Sequence, residues 1–111
     1  MAANVEIKKV RSTPDETFTY EVYTASVDGI EVGCASVMTD DKSTYVDRID
    51  IYDGYRNHGY GTAFLMGLSK EYGSVVLAPD SEDSRRLYDR LGNDVSRDYW
   101  MVDQGYGVYE I

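Results

Sequence analysis

The sequence predicts a mixed α/β fold: an antiparallel sheet first, then a strand–helix–strand crossover and a second helix. Three observations carry this. Between Val5 and Tyr52, apolar and polar residues alternate in runs separated by turn residues, which is the period of half-buried strands. Beyond residue 60 the period lengthens, with Phe64, Leu65, Leu68 and Tyr72 at helical spacing. A continuous apolar run, Ser74 to Pro79, then reads as a strand buried on both faces and leads to a second helical pattern. A chain of 111 residues suits one domain, 1–111, with a core of thin margin.

Taken in order, Val5 to Val10 predicts a short strand, with Val5 and Ile7 alternating. "RSTPDET", Arg11 to Thr17, predicts a turn punctuated by Pro14. Phe18, Tyr20 and Val22 alternate with polar residues in a longer strand. Asp28-Gly29 is a strong two-residue hairpin signal, and the return strand runs from Ile30 to Met38. Thr39 to Ser43 predicts a turn, and Thr44 to Tyr52 a fourth strand with Ile49 and Ile51 on one face and Asp50 on the other. Gly73 suits the end of the first helix. Asp80 or Ser81 suits the cap of the second, with Glu82 and Asp83 at its positive end. Ser84, Leu87, Tyr88 and Leu91 share one face of that helix, and Gly92 stops it. The tail, Val95 to Ile111, reads as two more strands around Asp103 to Gly107. The helix between strands four and five implies a parallel crossover.

Composition narrows the function. Apolar content of 42% and aromatic content of 13% predict a folded core. Eleven basic against twenty acidic side chains give 11 − 20 = −9. That charge disfavours nucleic acid and anionic membrane and favours a cationic partner such as an amine or a lysine-rich protein. Solubility alone is the simpler account of the same charge. The single cysteine, Cys34, lies in an apolar strand pattern and reads as a small core residue. One Cys and one His leave no set of zinc ligands, and Asp47, Asp50 and Asp53 are spaced by three, unlike a calcium loop. No metal is expected. No run is long enough to span a membrane, and "MAANVEIKKV" lacks the apolar centre of a signal peptide. A reducing, cytoplasmic setting is the expectation.

The stretch "DGYRNHGYGTAF", Asp53 to Phe64, places three glycines and the only histidine between a strand and a helix. Such an arrangement suits an anion, because free N–H groups and the partial positive charge of the helix start converge there. It is not a P-loop, which needs Gly-Lys-Ser/Thr. It is not a dinucleotide fingerprint, because Phe64 stands at the third glycine and the next strand carries no acid. Arg56, Gly59 and Gly61 do form Arg-x-x-Gly-x-Gly. With Ile49, Ile51 and Tyr55 ahead of them, they resemble motif A of the GNAT N-acetyltransferase superfamily, which binds acetyl-coenzyme A (acetyl-CoA). "SEDSRRLYDRLGND" resembles the second helix of that family, with Leu87, Tyr88 and Gly92 in place. Ser81 and Ser84 stand where Asn and Ala are frequent, and Asn93 replaces a common Phe. The resemblance covers residues 44–92 well and the flanking strands loosely.

The resemblance implies a GNAT-like acyl-CoA N-acyltransferase fold, with a mixed, mostly antiparallel sheet and two helices. It implies that backbone N–H groups of Asn57, His58, Gly59, Tyr60, Gly61 and Thr62 cradle a pyrophosphate, with Arg56 closing the turn and Ser81 joining the coenzyme-binding set. The main chain of Ile49 to Ile51 would pair with the pantetheine arm, and an N–H near Ile51 would polarise the thioester carbonyl. Acetyl would pass directly to an amine. Tyr88 stands where the family places the acid that protonates the departing thiolate; as a residue of this sequence it is also a plain core aromatic. Asp50 is the first candidate base, with Asp47 and Glu31 behind it, and each also reads as a solvated strand carboxylate. His58 reads as a phosphate contact or as a surface residue.

Members of the family usually carry two helices between the first and second strands. Here only "RSTPDET" fills that place. A reduced member is expected to have an open acceptor side, suited to a protein or other large or cationic amine. One face of its sheet is expected to be half-exposed or covered by a partner or a second copy, as in a homodimer. Two rival functions stay open: a non-catalytic binding or regulatory protein on the same fold, and an acidic inhibitor of a basic partner.

Overall fold

The computed structural model of the chain describes residues 4–99 and 105–111. Seven strands form one sheet in the order β1-β2-β3-β4-β5-β7-β6. They are β1 (Glu6–Pro14), β2 (Thr19–Val27), β3 (Ile30–Thr39), β4 (Thr44–Ile51), β5 (Val76–Leu77), β6 (Asn93–Asp94) and β7 (Tyr109–Glu110). Helix α1 (Tyr60–Tyr72) joins β4 to β5, and α2 (Glu82–Leu91) joins β5 to β6. Strand β4 pairs with β5 in parallel, and every other neighbouring pair is antiparallel. The expected mixed, mostly antiparallel sheet with two helices is therefore present. No described helix is long and apolar enough to cross a membrane.

Three boundaries differ from the expectation. Strand β1 runs through Arg11 to Pro14, which the sequence reading placed in a turn. A register shift near Val10 keeps the pairing going, and Pro14 is tolerated because β1 is the sheet edge and needs no further N–H donor there. The real turn is shorter and closes with Asp15 N–H donating to the Phe18 carbonyl at 2.9 Å. The buried strand after α1 contracts to Val76–Leu77, although Val75 exchanges two backbone bonds with Ile111. The first tail strand starts earlier than expected, at Asn93, and Ser96 to Asp98 lie in a turn. The rest of the expected turn region, 103–104, lies outside the described residues. Between β2 and β3 the hairpin is as expected: Asp28 (φ 51°) and Gly29 (φ 81°) both adopt the left-handed conformation of a primed turn.

The core sits between α1 and one face of β1–β4. Phe64, Leu65 and Leu68 of α1 are fully buried against Tyr23, Ala25, Ala35, Val37 and Val46. These strand residues share a face by alternation and register. The opposite face carries Tyr20, Val22, Cys34 and Met38, all half-buried, with no described helix over β1–β3. Cys34 thus lies outside the core expected for it, in register with Asp50. At the far end of the core, Gly92 follows α2 so closely on β7 that a Cβ would overlap the Glu110 carbonyl.

On the core side of β2 the apolar pattern is broken by Glu21, which is 6% exposed. Its carboxylate accepts hydrogen bonds from Tyr72 Oη at 2.7 Å and Ser12 Oγ at 3.0 Å and pairs with Lys9 Nζ at 2.9 Å. Tyr72 and Tyr23 also share a hydrogen bond of 2.8 Å between hydroxyls. These bonds tie the C-terminal end of α1 to β1 and β2. Burial pushes the Glu21 carboxyl pKa up, but the bonds from Lys9, Tyr72 and Ser12 outweigh it and hold the group below its ordinary value. A carboxylate with a lowered folded value stabilises the protein fully above the unfolded pKa, about 4.3, and loses that contribution as pH falls through the folded value. Glu21→Gln is therefore expected to cost about 1–3 kcal/mol at pH 7 in denaturant unfolding, and the gap to wild type should close below about pH 4.

Candidate functional site

Strands β4 and β5 meet at one register pair, Tyr45 with Val76, and then diverge. A register shift between Ser36 and Val37 leaves Asp47 as an extra residue in β4 and bends the strand at that point. The gap widens toward the end of β4. Its inner part is a cavity of about 150 Å³ bordered by Val46 to Ile49, Leu77, Ala78, Asp80, Ser84 and Tyr88. Its outer part is a cleft of about 500 Å³ between β4, the turn before α1 and the first turns of α2. A small pocket lined by Ile49 to Ile51, Gly61, Leu65, Leu87 and Tyr88 adjoins both. Alternation along β4 aims its free backbone groups into this gap. Tyr52 donates its N–H to Val32 on β3 at 2.8 Å, so the preceding N–H, of Ile51, turns the other way, toward the cleft.

The turn from Tyr52 to Gly59 delivers the start of α1 to the cleft mouth. Gly54 (φ 92°), Asn57 (φ 67°) and Gly59 (φ 80°) are all left-handed. Gly59 occupies the N-cap position, no described side chain bonds to this end, and its first turn holds no acidic residue. The N–H groups of the first turn are thus left without side-chain partners, in contrast with α2. There, Ser81 Oγ accepts the Ser84 N–H at 3.1 Å and Glu82 and Asp83 face the positive end. Gly61 faces the cleft. A Cβ at that position would lie 3.6 Å from Ile51, an ordinary contact, so packing of the chain does not demand glycine there.

Arg56 folds back on the strand end instead of reaching outward. Its Nε donates to the Ile51 carbonyl at 2.8 Å and lies 3.6 Å from Asp53 Oδ1, and its Nη2 pairs with Asp50 Oδ1 at 3.1 Å. The turn is thereby closed by Arg56, and Asp50, the first candidate base, has a cation on it. Glu31, a further candidate, accepts a hydrogen bond from Tyr52 Oη at 2.6 Å. Asp47 borders the inner cavity.

Tyr88 is 9% exposed and belongs to the core cluster, edge-on to Tyr109 at 6.5 Å between ring centres. It also borders the inner cavity and the pocket beside Ile49 and Ile51. The core and cavity readings of this residue thus coincide. Burial raises the Tyr88 phenol pKa, the Asp80 carboxylate adds to the rise, and the nearby Ser84 hydroxyl opposes it.

Of the residues singled out from sequence, Ile49, Asp50, Ile51, Arg56, Asn57, Gly59, Tyr60, Gly61 and Thr62 border the outer cleft. Tyr88 and Asp47 border the inner cavity instead. Glu31, His58 and Ser81 border neither: Glu31 is bonded by Tyr52, His58 is exposed and stacks on Tyr60 at 5.3 Å, and Ser81 is engaged as the α2 cap. Tyr55, Asp83, Ser84 and Leu87 border the cleft without having been chosen as site residues. Asp83 and Leu87 lie four apart on α2, a spacing visible in the sequence. What the sequence hides is that α2 leans over the end of β4.

No family model matches the chain, and no curated protein matches it. Solved structures do. One is a GNAT family acetyltransferase from Elizabethkingia anophelis crystallised with acetyl-CoA bound, matched at a TM-score of 0.65 over 97% of each chain with 16% identity. Another is a Bacteroides thetaiotaomicron protein assigned to the GNAT acetyltransferases, at a TM-score of 0.62 and 23% identity; 82% of this chain matches 59% of that one. The fold is that of GNAT acetyltransferases, and the first match shows that it occurs in another chain of nearly this extent.

Gly59, at the end of the turn, and Gly61, in the first turn of α1, should separate in unfolding experiments. Gly59→Ala forces a side chain into φ 80° with nothing within 4 Å of its Cβ, so its cost is backbone strain of about 1–2 kcal/mol. Gly61→Ala should be neutral or stabilising, within about 1 kcal/mol, since alanine favours helix and the space exists.

Proposed function

We propose that this chain, built on the fold of the GNAT acetyltransferases, is a member of that superfamily and a single-domain, acetyl-CoA-dependent N-acetyltransferase. The observation that carries this reading is the uncapped start of α1 opening onto a cleft that leads inward between β4 and β5 to Tyr88. The residues present fit the donor. The N–H groups from Asn57 to Thr62 would hold the pyrophosphate, aided by the helix dipole. Gly61 leaves clearance that the chain itself does not need. The cleft-facing amides beside Ile49 and Ile51 would pair with the amide-bearing pantetheine arm, as one strand pairs with another. Bound there, acetyl-CoA supplies an activated acyl group as a thioester.

The chain's own groups then have defined work. An N–H of β4 facing the cleft stabilises negative charge on the thioester oxygen. Tyr88 stays protonated at neutral pH and gives its proton to the departing sulfur. Arg56, anchored on the Ile51 carbonyl and Asp50, keeps the turn closed, and Asp50 serves the site through it. The acceptor is a primary amine on a large or cationic molecule such as a basic protein. Asp47, Asp50, Asp80 and Asp83 border the cavities, and the direct β1–β2 turn leaves the sheet face uncovered. A second reading, a GNAT-fold binding protein without turnover, is favoured by one observation: Asp50, the expected base, is paired with Arg56.

Calorimetric titration with acetyl-CoA is expected to show binding that Gly61→Ala weakens without loss of fold. Full affinity in that variant would remove the turn from the site, and absence of binding in wild type would overturn the reading. Thiol release with basic peptides and amines separates enzyme from binder. Tyr88→Phe should then lower kcat about a hundredfold with little change in KM for acetyl-CoA.

A further inference from the structure

We infer that the sheet face turned away from α1 is the interface of a two-fold dimer of this chain, in which the acidic turns of each copy lie over Arg11 and Arg48 of the other. This interface does not depend on the proposed acetyl transfer. The register of β1–β4 arranges the face in rows. Lys8, Thr24, Cys34 and Asp50 form one row, Arg11, Val22, Ser36 and Arg48 the next, and Thr13, Tyr20, Met38 and Tyr45 a third. Beyond the third row lie the β1–β2 and β3–β4 turns, whose Asp15, Glu16, Asp40 and Asp41 border a common pocket of about 210 Å³. Tyr20, Val22, Met38 and Tyr45 give the face an apolar middle, half-buried, with no described helix over β1–β3.

Charge is unevenly placed along these strands. Lys8, Arg11 and Arg48, at the flanks of the face, are exposed and have no ion-pair partner among the described residues. The one acid in the three rows, Asp50, is already paired with Arg56. The turn end carries the four acids against a single cation, Lys42. Now place a two-fold axis in the plane of the face, perpendicular to the strands and near the row of Tyr20, Met38 and Tyr45. Each strand then lies over its own copy running the opposite way, and rows on either side of the axis exchange. Asp15 and Glu16 come over the partner's Arg11, and Asp40 and Asp41 come beside the partner's Arg48. Phe18 comes over the partner's Val22, and the aromatic row meets itself. Symmetry makes every charge contact twice. An axis parallel to the strands would instead set Arg11 over the partner's Arg48. Pairing through the edge strand β1 is opposed by Pro14 and by its Lys8, Lys9 and Arg11. Four strands about 4.8 Å apart and about eight residues at 3.3 Å give a face of about 500 Å² per copy. That is at the lower limit of specific interfaces, where complementary charge decides whether a dimer forms. The axis lies at the end of β4 away from Ile51, so the cleft mouth stays open.

Sedimentation equilibrium of the whole chain, from micromolar to millimolar protein, tests this. The wild type is expected to pass from monomer to dimer, and high salt should shift it back toward monomer. The double variants Arg11→Glu/Arg48→Glu and Glu16→Lys/Asp41→Lys, all at exposed positions, should each weaken self-association about tenfold or more, because like charges then meet twice. Mixing the two variants should restore the dimer, since the reversed charges of one then face those of the other. Recovery on mixing also separates a lost contact from a lost fold. A wild type that stays monomeric overturns the inference, as do variants that dimerise like wild type or a mixture that fails to recover. A monomeric wild type whose KM for a peptide acceptor rises in Arg11→Glu/Arg48→Glu also overturns it and gives this face to the acceptor.

Discussion

The separation of β4 from β5 after a single register pair is the constraint on which the rest of the molecule depends. Inside a sheet, backbone N–H and C=O groups are satisfied by the neighbouring strand, and an interior strand left without one must find other partners. From Val46 to Ile51 one side of β4 faces a gap, although β4 is an interior strand by its place in the order. An extended, amide-bearing ligand would satisfy that edge as a strand does. The extra residue at Asp47 and the nearby ends of α1 and α2 shape the gap so that it deepens toward Tyr88. The fold thus has a strand-shaped gap between β4 and β5, and the proposed chemistry depends on what lines its inner end.

Holding such a gap open needs rigid walls, which a chain of 111 residues has little mass to build. One wall is α1, fastened in two places by different means. Apolar packing of Phe64, Leu65 and Leu68 fixes its middle. The buried Glu21, with Tyr72, Tyr23, Lys9 and Ser12, fixes its C-terminal end to the two strands farthest from the gap. A buried carboxylate is costly unless fully bonded, and this one is bonded by three groups from two other elements. Its position therefore specifies how α1 lies across the sheet.

Most of this architecture was legible in the sequence. Alternation gave the four antiparallel strands, Asp28-Gly29 gave their hairpin, and the change of period at α1 gave the parallel crossover. The glycine turn was legible because left-handed backbone and close approach restrict residue choice. What was not legible depends on partners distant in sequence. Glu21 looked like a solvent-side residue, because nothing local indicates that Lys9, Ser12 and Tyr72 will surround it. Pro14 looked like turn punctuation, because only the sheet order reveals that β1 is an edge where proline is harmless. Asp50 looked free, because the return of Arg56 across the turn is a matter of side-chain path. Ser84 looked like a mild departure from a pattern, and its neighbours Asp80 and Tyr88 acquire meaning only at the inner cavity.

The two helices differ in how their positive ends are treated, and that difference supports the proposed anion site. Both begin near the same cleft, and both expose a positive N-terminus. Helix α2 neutralises its own start with Ser81, Glu82 and Asp83, so an incoming phosphate would meet acid there. Helix α1 begins at a left-handed glycine, with no acid in its first turn. In a protein of net charge −9 an anionic ligand is repelled almost everywhere, and this contrast directs it to one helix end. The same acidity would attract the cationic acceptor proposed above. In the proposed transferase, donor and acceptor would approach under opposite fields and meet where the N–H groups give way to Asp47 and Asp80, beside Tyr88.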